Sequence, residues 1–207
     1  MAKLIQRQAP WQGNCRPIGM PGGAWATSLG RDLEAWGFTR EQDAPVMAID
    51  LHDLPTHVPC PPRLEIVRAE TASLLQAWLG VLSKGFAAPP VRGTPPPCPQ
   101  RCWRARAAAS TRCYLGVLDG VPVATAMLVP SHGIAGIHYV STVPQAQGGG
   151  IGTVLTWTVL RDAGALGYRT GGLVSTAAGV SVYRRLGFRT YGAFSFYDWI
   201  EEGPPWA

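Results

Sequence analysis

Residues Gln147-Gly148-Gly149-Gly150-Ile151-Gly152 place four glycines between two regular elements. Before them, Ile134 to Val143 reads as a strand. After them, Ile151 to Leu166 reads as a helix whose buried face would be Ile151, Val154, Leu155, Val159, Ala163 and Leu166. Few chemistries need a glycine loop there. One is an anion that backbone N–H groups must approach closely, because side chains would block the approach. The helix start adds unpaired N–H groups and a partial positive charge. Gly148, Gly149, Gly150 and Gly152 give the room, Ile151 can turn inward as an anchor, and Thr153 can offer a hydroxyl to a phosphate oxygen. A nucleotide triphosphate loop would need Gly-Lys-Ser/Thr, and Ile151-Gly152-Thr153 has no lysine. A dinucleotide loop counted from Gly148 fails at Thr153, and no acid stands at Arg169-Thr170-Gly171-Gly172. On the loop alone, a glycine turn without a ligand stays open.

The flanking pattern implies an α/β (α+β) fold. Leu64-Glu65-Ile66-Val67 alternates as a strand, and Glu70 to Leu82 reads as a helix with Leu74, Leu75, Trp78, Leu79 and Leu82 on one face. Tyr114 to Leu118, the Asp119-Gly120 turn, Val121 to Val129, a Pro130-Ser131-His132-Gly133 turn and Ile134 to Val143 form an antiparallel meander. Beyond the glycine loop and its helix come a strand at 168–174, a short helix from Gly179 to Arg185, and strands at 188–191 and 193–200. A meander running into strand–helix–strand implies a mixed, mostly antiparallel sheet flanked by helices. Residues 87–112 hold six prolines, then Arg101, Arg104, Arg106 and Arg112. That proline density forbids regular structure, although Trp103 to Ser110 could form a short helix.

The 207 residues suit one domain with an extension. No apolar run reaches the ~18–20 residues of a transmembrane helix, and no apolar segment follows Lys3 and Arg7 as in a secretory signal. Net charge is +5, which suits an anionic ligand or nucleic acid without deciding between them. Cys15, Cys60, Cys98, Cys102 and Cys113 form neither a disulfide framework nor a zinc set, so free thiols in a reducing cytoplasm are expected.

A second motif follows the next strand: Thr176, Gly179, Tyr183, then Leu186-Gly187-Phe188. Gln147-x-x-Gly150-x-Gly152 resembles the Arg/Gln-x-x-Gly-x-Gly/Ala signature of the GNAT N-acetyltransferase superfamily. Tyr183 with Leu186-Gly187-Phe188 resembles its Tyr-x-x-Leu-Gly-Phe motif. The resemblance spans about residues 63–200. It implies acetyl-CoA as co-substrate, its pyrophosphate on Gln147 to Thr153, and its pantetheine arm paired with the backbone of Ser141, Thr142 and Val143. It also implies Tyr183 near the sulfur, where a phenol of pKa about 10 can donate to the leaving thiolate.

The implied reaction is transfer of an acetyl group to a primary amine of a small molecule. A non-catalytic acyl-CoA-binding module and an arginine-loop nucleic-acid binder are the rivals. Neither nucleic acid nor membrane is an expected partner, and a homodimer is compatible with the resemblance. No carboxylate stands on 134–143 to serve as base, and His138 is the one group there that titrates near neutrality. Arg184, Arg185 and Arg189 are candidates for the adenosine 3′-phosphate or for a solvated basic face. Gln147 stands where arginine is commoner, and Thr176 where Asn or Ser is common.

Domain organisation is read as an N-terminal extension, 1–62, and an acetyltransferase domain, 63–207, with an irregular insert at 87–112. Leu33-Glu34-Ala35-Trp36-Gly37-Phe38 and the strand-like 46–51 echo Tyr183 to Phe188 and the strand that follows. A remnant of a second acetyltransferase half is the expectation. Detachment of 28–51 from the main sheet, or a helix at 46–51, would count against it.

Overall fold

A computed structural model describes residues 18–21, 24–86 and 111–198, with side chains from residue 28 onward. In chain order the elements are β1 (Ile18–Pro21), α1 (Ala24–Ala35), β2 (Thr39–Arg40), β3 (Ala44–Asp50), β4 (Leu64–Arg68) and α2 (Ala72–Gly85). After them come β5 (Arg112–Leu118), β6 (Val121–Ser131), β7 (Ile134–Thr142), α3 (Ile151–Ala165), β8 (Thr170–Val174), α4 (Val180–Arg185) and β9 (Arg189–Asp198). Among the described residues the strands form one sheet, ordered β1-β9-β3-β8-β7-β6-β5-β4, with β2 also on β9. Every pairing is antiparallel except β7 with β8. The mixed sheet with flanking helices is the expected architecture.

The meander β5 to β7 closes through two-residue turns. Asp119 and Gly120 have φ of 50° and 78°, and His132 and Gly133 have 50° and 80°. Positive φ at both central residues matches the twist of the flanking strands. The second turn is shorter than the 130–133 expected, because Pro130 and Ser131 still pair with Ala135 and Ile134.

Helix α2 begins at Ala72 rather than Glu70, where the Thr71 side chain accepts from the Leu74 amide at 3.2 Å. Its buried residues Leu75, Trp78, Leu79 and Leu82 follow helical spacing. Each such side chain contributes about 1.5–3 kcal/mol by leaving water. On the opposite face α3 buries Ile151, Val154, Leu155, Val159, Leu160 and Ala163. Leu166, expected on that face, caps the helix and is 42% exposed, because the helix ends at Ala165.

The two strands expected at 188–191 and 193–200 are one strand, β9. Val46 opposes Gly192 while Met47 opposes Thr190, so Tyr191 is an extra residue bulged outward, 73% exposed. Strand β3 is inserted between β8 and β9 and buries Met47 and Ile49 in the main core. The two helix ends that resemble each other in sequence also bond alike. Trp36, Gly37 and Phe38 donate to the carbonyls of Leu33, Glu34 and Leu33, and Leu186, Gly187 and Phe188 to those of Tyr183, Arg184 and Tyr183. Gly37 and Gly187 have φ of 88° and 101°.

Cys60 is exposed and Cys113 is buried. The other three cysteines, the 87–110 stretch with its expected short helix, and 199–200 lie outside the described residues. Arg112, read with that stretch, opens β5.

Met47 is fully buried in a strand that precedes the meander. Met47→Ala is expected to lower the unfolding free energy by about 2–5 kcal/mol in urea melts. A neutral result would mean that β3 does not unfold with the main core.

Candidate active site

Strands β7 and β8 pair over only three residues, Ile134 to Gly136 with Thr170 to Gly172. Beyond them each strand keeps one partner: β7 stays on β6, and β8 stays on β3. The gap widens into a cleft of about 330 Å³. One wall is Val140, Ser141 and Thr142 of β7. The loop Gln147 to Thr153 closes one end, and Thr176, Gly179, Val182, Tyr183 and Arg185 form the far wall.

A β-bulge shapes the β7 wall. Met127 opposes His138 but Thr125 opposes Ser141, so β7 carries one residue more than β6 there. Tyr139 takes up the difference with φ of 53°, a left-handed conformation costing roughly 1–2 kcal/mol for a residue with a side chain. Two contacts hold it. The Thr125 hydroxyl donates to the Tyr139 carbonyl at 2.9 Å, and Tyr139 meets Trp78 edge-on at 5.9 Å. The Trp78 indole in turn donates to the Ala126 carbonyl at 3.2 Å.

Gly148 and Gly150 have φ of 82° and 79°, which a side chain would strain. No side chain caps α3 at Gly150. The leading amides of a helix lack intrahelical partners, so this start is suited to an anion. The Gln147 side chain donates to the Thr142 carbonyl at 2.9 Å, tying the loop to the end of β7.

Of the residues expected from sequence, Ser141, Thr142, Gln147, Gly148, Gly150, Gly152, Thr153 and Tyr183 line this cleft. Three do not. The Val143 amide donates to Val123 and its side chain is in the core, Ile151 is buried as the helix anchor, and Gly149 sits at the exposed loop surface. Thr176 caps the turn after β8, accepting from the Gly179 amide at 3.3 Å. His138 lies outside the cleft lining, and partial burial pulls its imidazole below the usual value. The arginines separate: Arg185 lines the cleft, while Arg184 and Arg189 line another groove with Asp53. The bulge, Val140, Ala146, Ala178 and Val182 were not foreseen. Proline and glycine do not mark this bulge, so sequence carried no signal for it.

Tyr183 is 8% exposed, with its ring edge-on to Phe188 at 5.7 Å. Burial pushes its phenol up to about 12.

The sequence matches the model of the acetyltransferase (GNAT) family over residues 80–188, just over half of the chain. The chain belongs to the GNAT family. Among solved structures, this GNAT chain is similar to a GCN5-related N-acetyltransferase from Kribbella flavida, at 22% identity and TM-score 0.63, covering 85% of this chain and 65% of that one. One from Sphaerobacter thermophilus gives 22% and 0.67, over 89% and 59%. A tandem GNAT protein from the clavulanic acid biosynthesis pathway gives 18% and 0.61, over 92% and 63%. The chain thus spans less than two thirds of each of these proteins, and at such identities the likeness is one of fold. No curated protein matches the sequence significantly.

A raised tyrosine pKa has a stability consequence. Because the folded value, about 12, exceeds the ordinary 10.0, the neutral phenol stabilises the fold fully below the ordinary value. That contribution is lost as pH rises through the interval between the two. Tyr183→Phe should therefore show a shallower alkaline loss of stability than the wild type in urea melts across that interval. Parallel curves would contradict the assigned burial effect.

Proposed function

We propose that this GNAT chain transfers an acetyl group from acetyl-CoA to a primary amine of a small molecule. One observation carries the reading: the cleft where β7 and β8 part has an open strand edge on one side, an uncapped helix start at one end and a buried tyrosine opposite. An extended arm with amides suits the open edge, and a pyrophosphate suits the loop Gln147 to Thr153. The N-acetyltransferase names of the structural neighbours agree with this reading.

In the proposed reaction the amine nitrogen attacks the thioester carbon. The N–C bond forms, the C–S bond breaks, and the electron pair leaves on sulfur. A phenol held near 12 stays protonated throughout the neutral range. Tyr183 then stabilises the developing thiolate by a hydrogen bond, because full transfer would leave a buried phenolate, which burial opposes. The proton shed by nitrogen leaves through solvent. The N-terminal segment fits the same reading: the matched bonding at Leu33–Phe38 and Tyr183–Phe188 supports 28–51 as a remnant of a second acetyltransferase half.

Calorimetric titration is expected to show acetyl-CoA binding. Thiol release should then follow with at least one of putrescine, lysine, glucosamine or phenylethylamine. Tyr183→Phe should keep its acetyl-CoA affinity and lose roughly 10²-fold in turnover. Binding without thiol release would favour a non-catalytic acyl-CoA module, and unchanged turnover would remove Tyr183 from the mechanism.

A further inference from the structure

Four polar side chains are buried among the described residues: Thr125, Ser141, Thr156 and Ser175. Three of their hydroxyls donate to backbone carbonyls. Thr125 bonds Tyr139 at 2.9 Å, Thr156 bonds Gly152 at 2.8 Å, and Ser175 bonds Thr176 at 2.8 Å. Among the described residues the Ser141 hydroxyl has no hydrogen-bond partner, although Ser141 is only 7% exposed. A buried hydroxyl left unpaired is a cost that native folds avoid, and it asks for an explanation.

Its position supplies one. Ser141 stands on the β7 wall of the cleft between Val140 and Thr142. Its Oγ packs against Gly85 at the end of α2, so closely that a Cβ on Gly85 would lie 1.8 Å from it. Glycine there lets the helix end seat directly on the strand. The bulge also matters. His138 and Ser141 are three apart, so strict alternation would put them on opposite faces. The extra residue places both on the face that carries Thr125 and Met127.

We propose that Ser141 is a donor-binding residue whose hydroxyl is kept unpaired for a carbonyl of the acyl-pantetheine arm. The proposal rests on the acetyl-CoA reading above. The arm brings two amide carbonyls and a thioester carbonyl into a cleft whose neighbouring side chains include Val140, Ala146 and Val182, which offer no hydrogen bond. The Thr142 carbonyl already accepts from Gln147, so the strand's own polar groups are partly engaged. The hydroxyl packs on Gly85 here, and engaging the arm would take a turn of χ1 to another staggered position.

The test is Ser141→Ala, with Ser175→Ala as a buried but bonded serine for comparison. Calorimetric titration with acetyl-CoA and with CoA reads the contact. Loss of one uncharged hydrogen bond should weaken acetyl-CoA binding roughly 3- to 10-fold. An equal loss for CoA assigns the contact to a pantetheine amide, and an undiminished CoA affinity assigns it to the thioester. Without ligand, Ser141→Ala should melt as high as the wild type or roughly 2–4 °C higher, whereas Ser175→Ala should melt lower. Two results overturn the proposal alone: unchanged affinity for both ligands, or a ligand-free melting temperature that falls as in Ser175→Ala. Failure of the wild type to bind either ligand would instead sink the acyl-donor reading, and this proposal with it.

Discussion

The three-residue parallel contact between β7 and β8 sets the layout of the molecule. A sheet normally satisfies each strand edge with the next strand, because backbone N–H and C=O groups left unpaired away from water are costly. Here the pairing stops after Gly136 and Gly172. The remaining length of β7 turns an unpaired edge toward a cleft rather than toward bulk solvent. An extended polar ligand can complete that edge. The bulge at Tyr139 bends β7 away, and β3 draws β8 the other way by pairing along its whole length. The bulge is held by Thr125 and by Trp78, which links it to α2. A cleft of this kind therefore depends on side chains that never face it.

That dependence explains the place of β3. Without it, β8 would have the short contact with β7 as its single strand neighbour. Between β8 and β9, β3 supplies two antiparallel ladders and buries Met47 and Ile49 below α3's side of the core. The far wall of the cleft hangs from the end of β8, through the Thr176 turn to Tyr183. The N-terminal segment thus positions a tyrosine well over a hundred residues away, although none of its described residues lines the cleft.

Much of this was legible from sequence because local chemistry dictated it. Asp-Gly and His-Gly turns, glycines flanking a helix start, and a Tyr-x-x-Leu-Gly-Phe segment each encode their own geometry. The order and type of the elements followed, and so did the loop and tyrosine that line the cleft. What was illegible was set by pairing. The Pro130 turn was overdrawn because a proline near a strand end still fits an antiparallel ladder. Strand β9 reads as two in the sequence because Gly192 looks like a break, whereas the chain passes through it as one strand with a bulge at Tyr191. Val143 was read as ligand-facing because sequence cannot show that its amide already bonds Val123. The position of β3 between β8 and β9 is a long-range choice with no local mark.

Two buried tyrosines, Tyr114 and Tyr183, differ in how their hydroxyls are bonded. Tyr114 is almost fully buried, and its hydroxyl donates to the Asp162 carboxylate, which also accepts from Arg112 at 2.7 Å. Burial first, then the hydrogen bond to Asp162, raises its phenol. Despite partial burial, bonds from Tyr114 and Arg112 hold the Asp162 carboxyl below its ordinary value. That triad is closed: each member satisfies another, and it ties β5 to the end of α3. Tyr183 has a similar burial and a raised phenol, yet among the described residues its hydroxyl has no hydrogen-bond partner. As a lining residue of the cleft, Tyr183 keeps a neutral donor that no described group engages. The same reasoning separates Ser141 from Ser175. Among the described residues of the cleft, Tyr183 and Ser141 are set apart by the hydrogen bonds they lack rather than by charge.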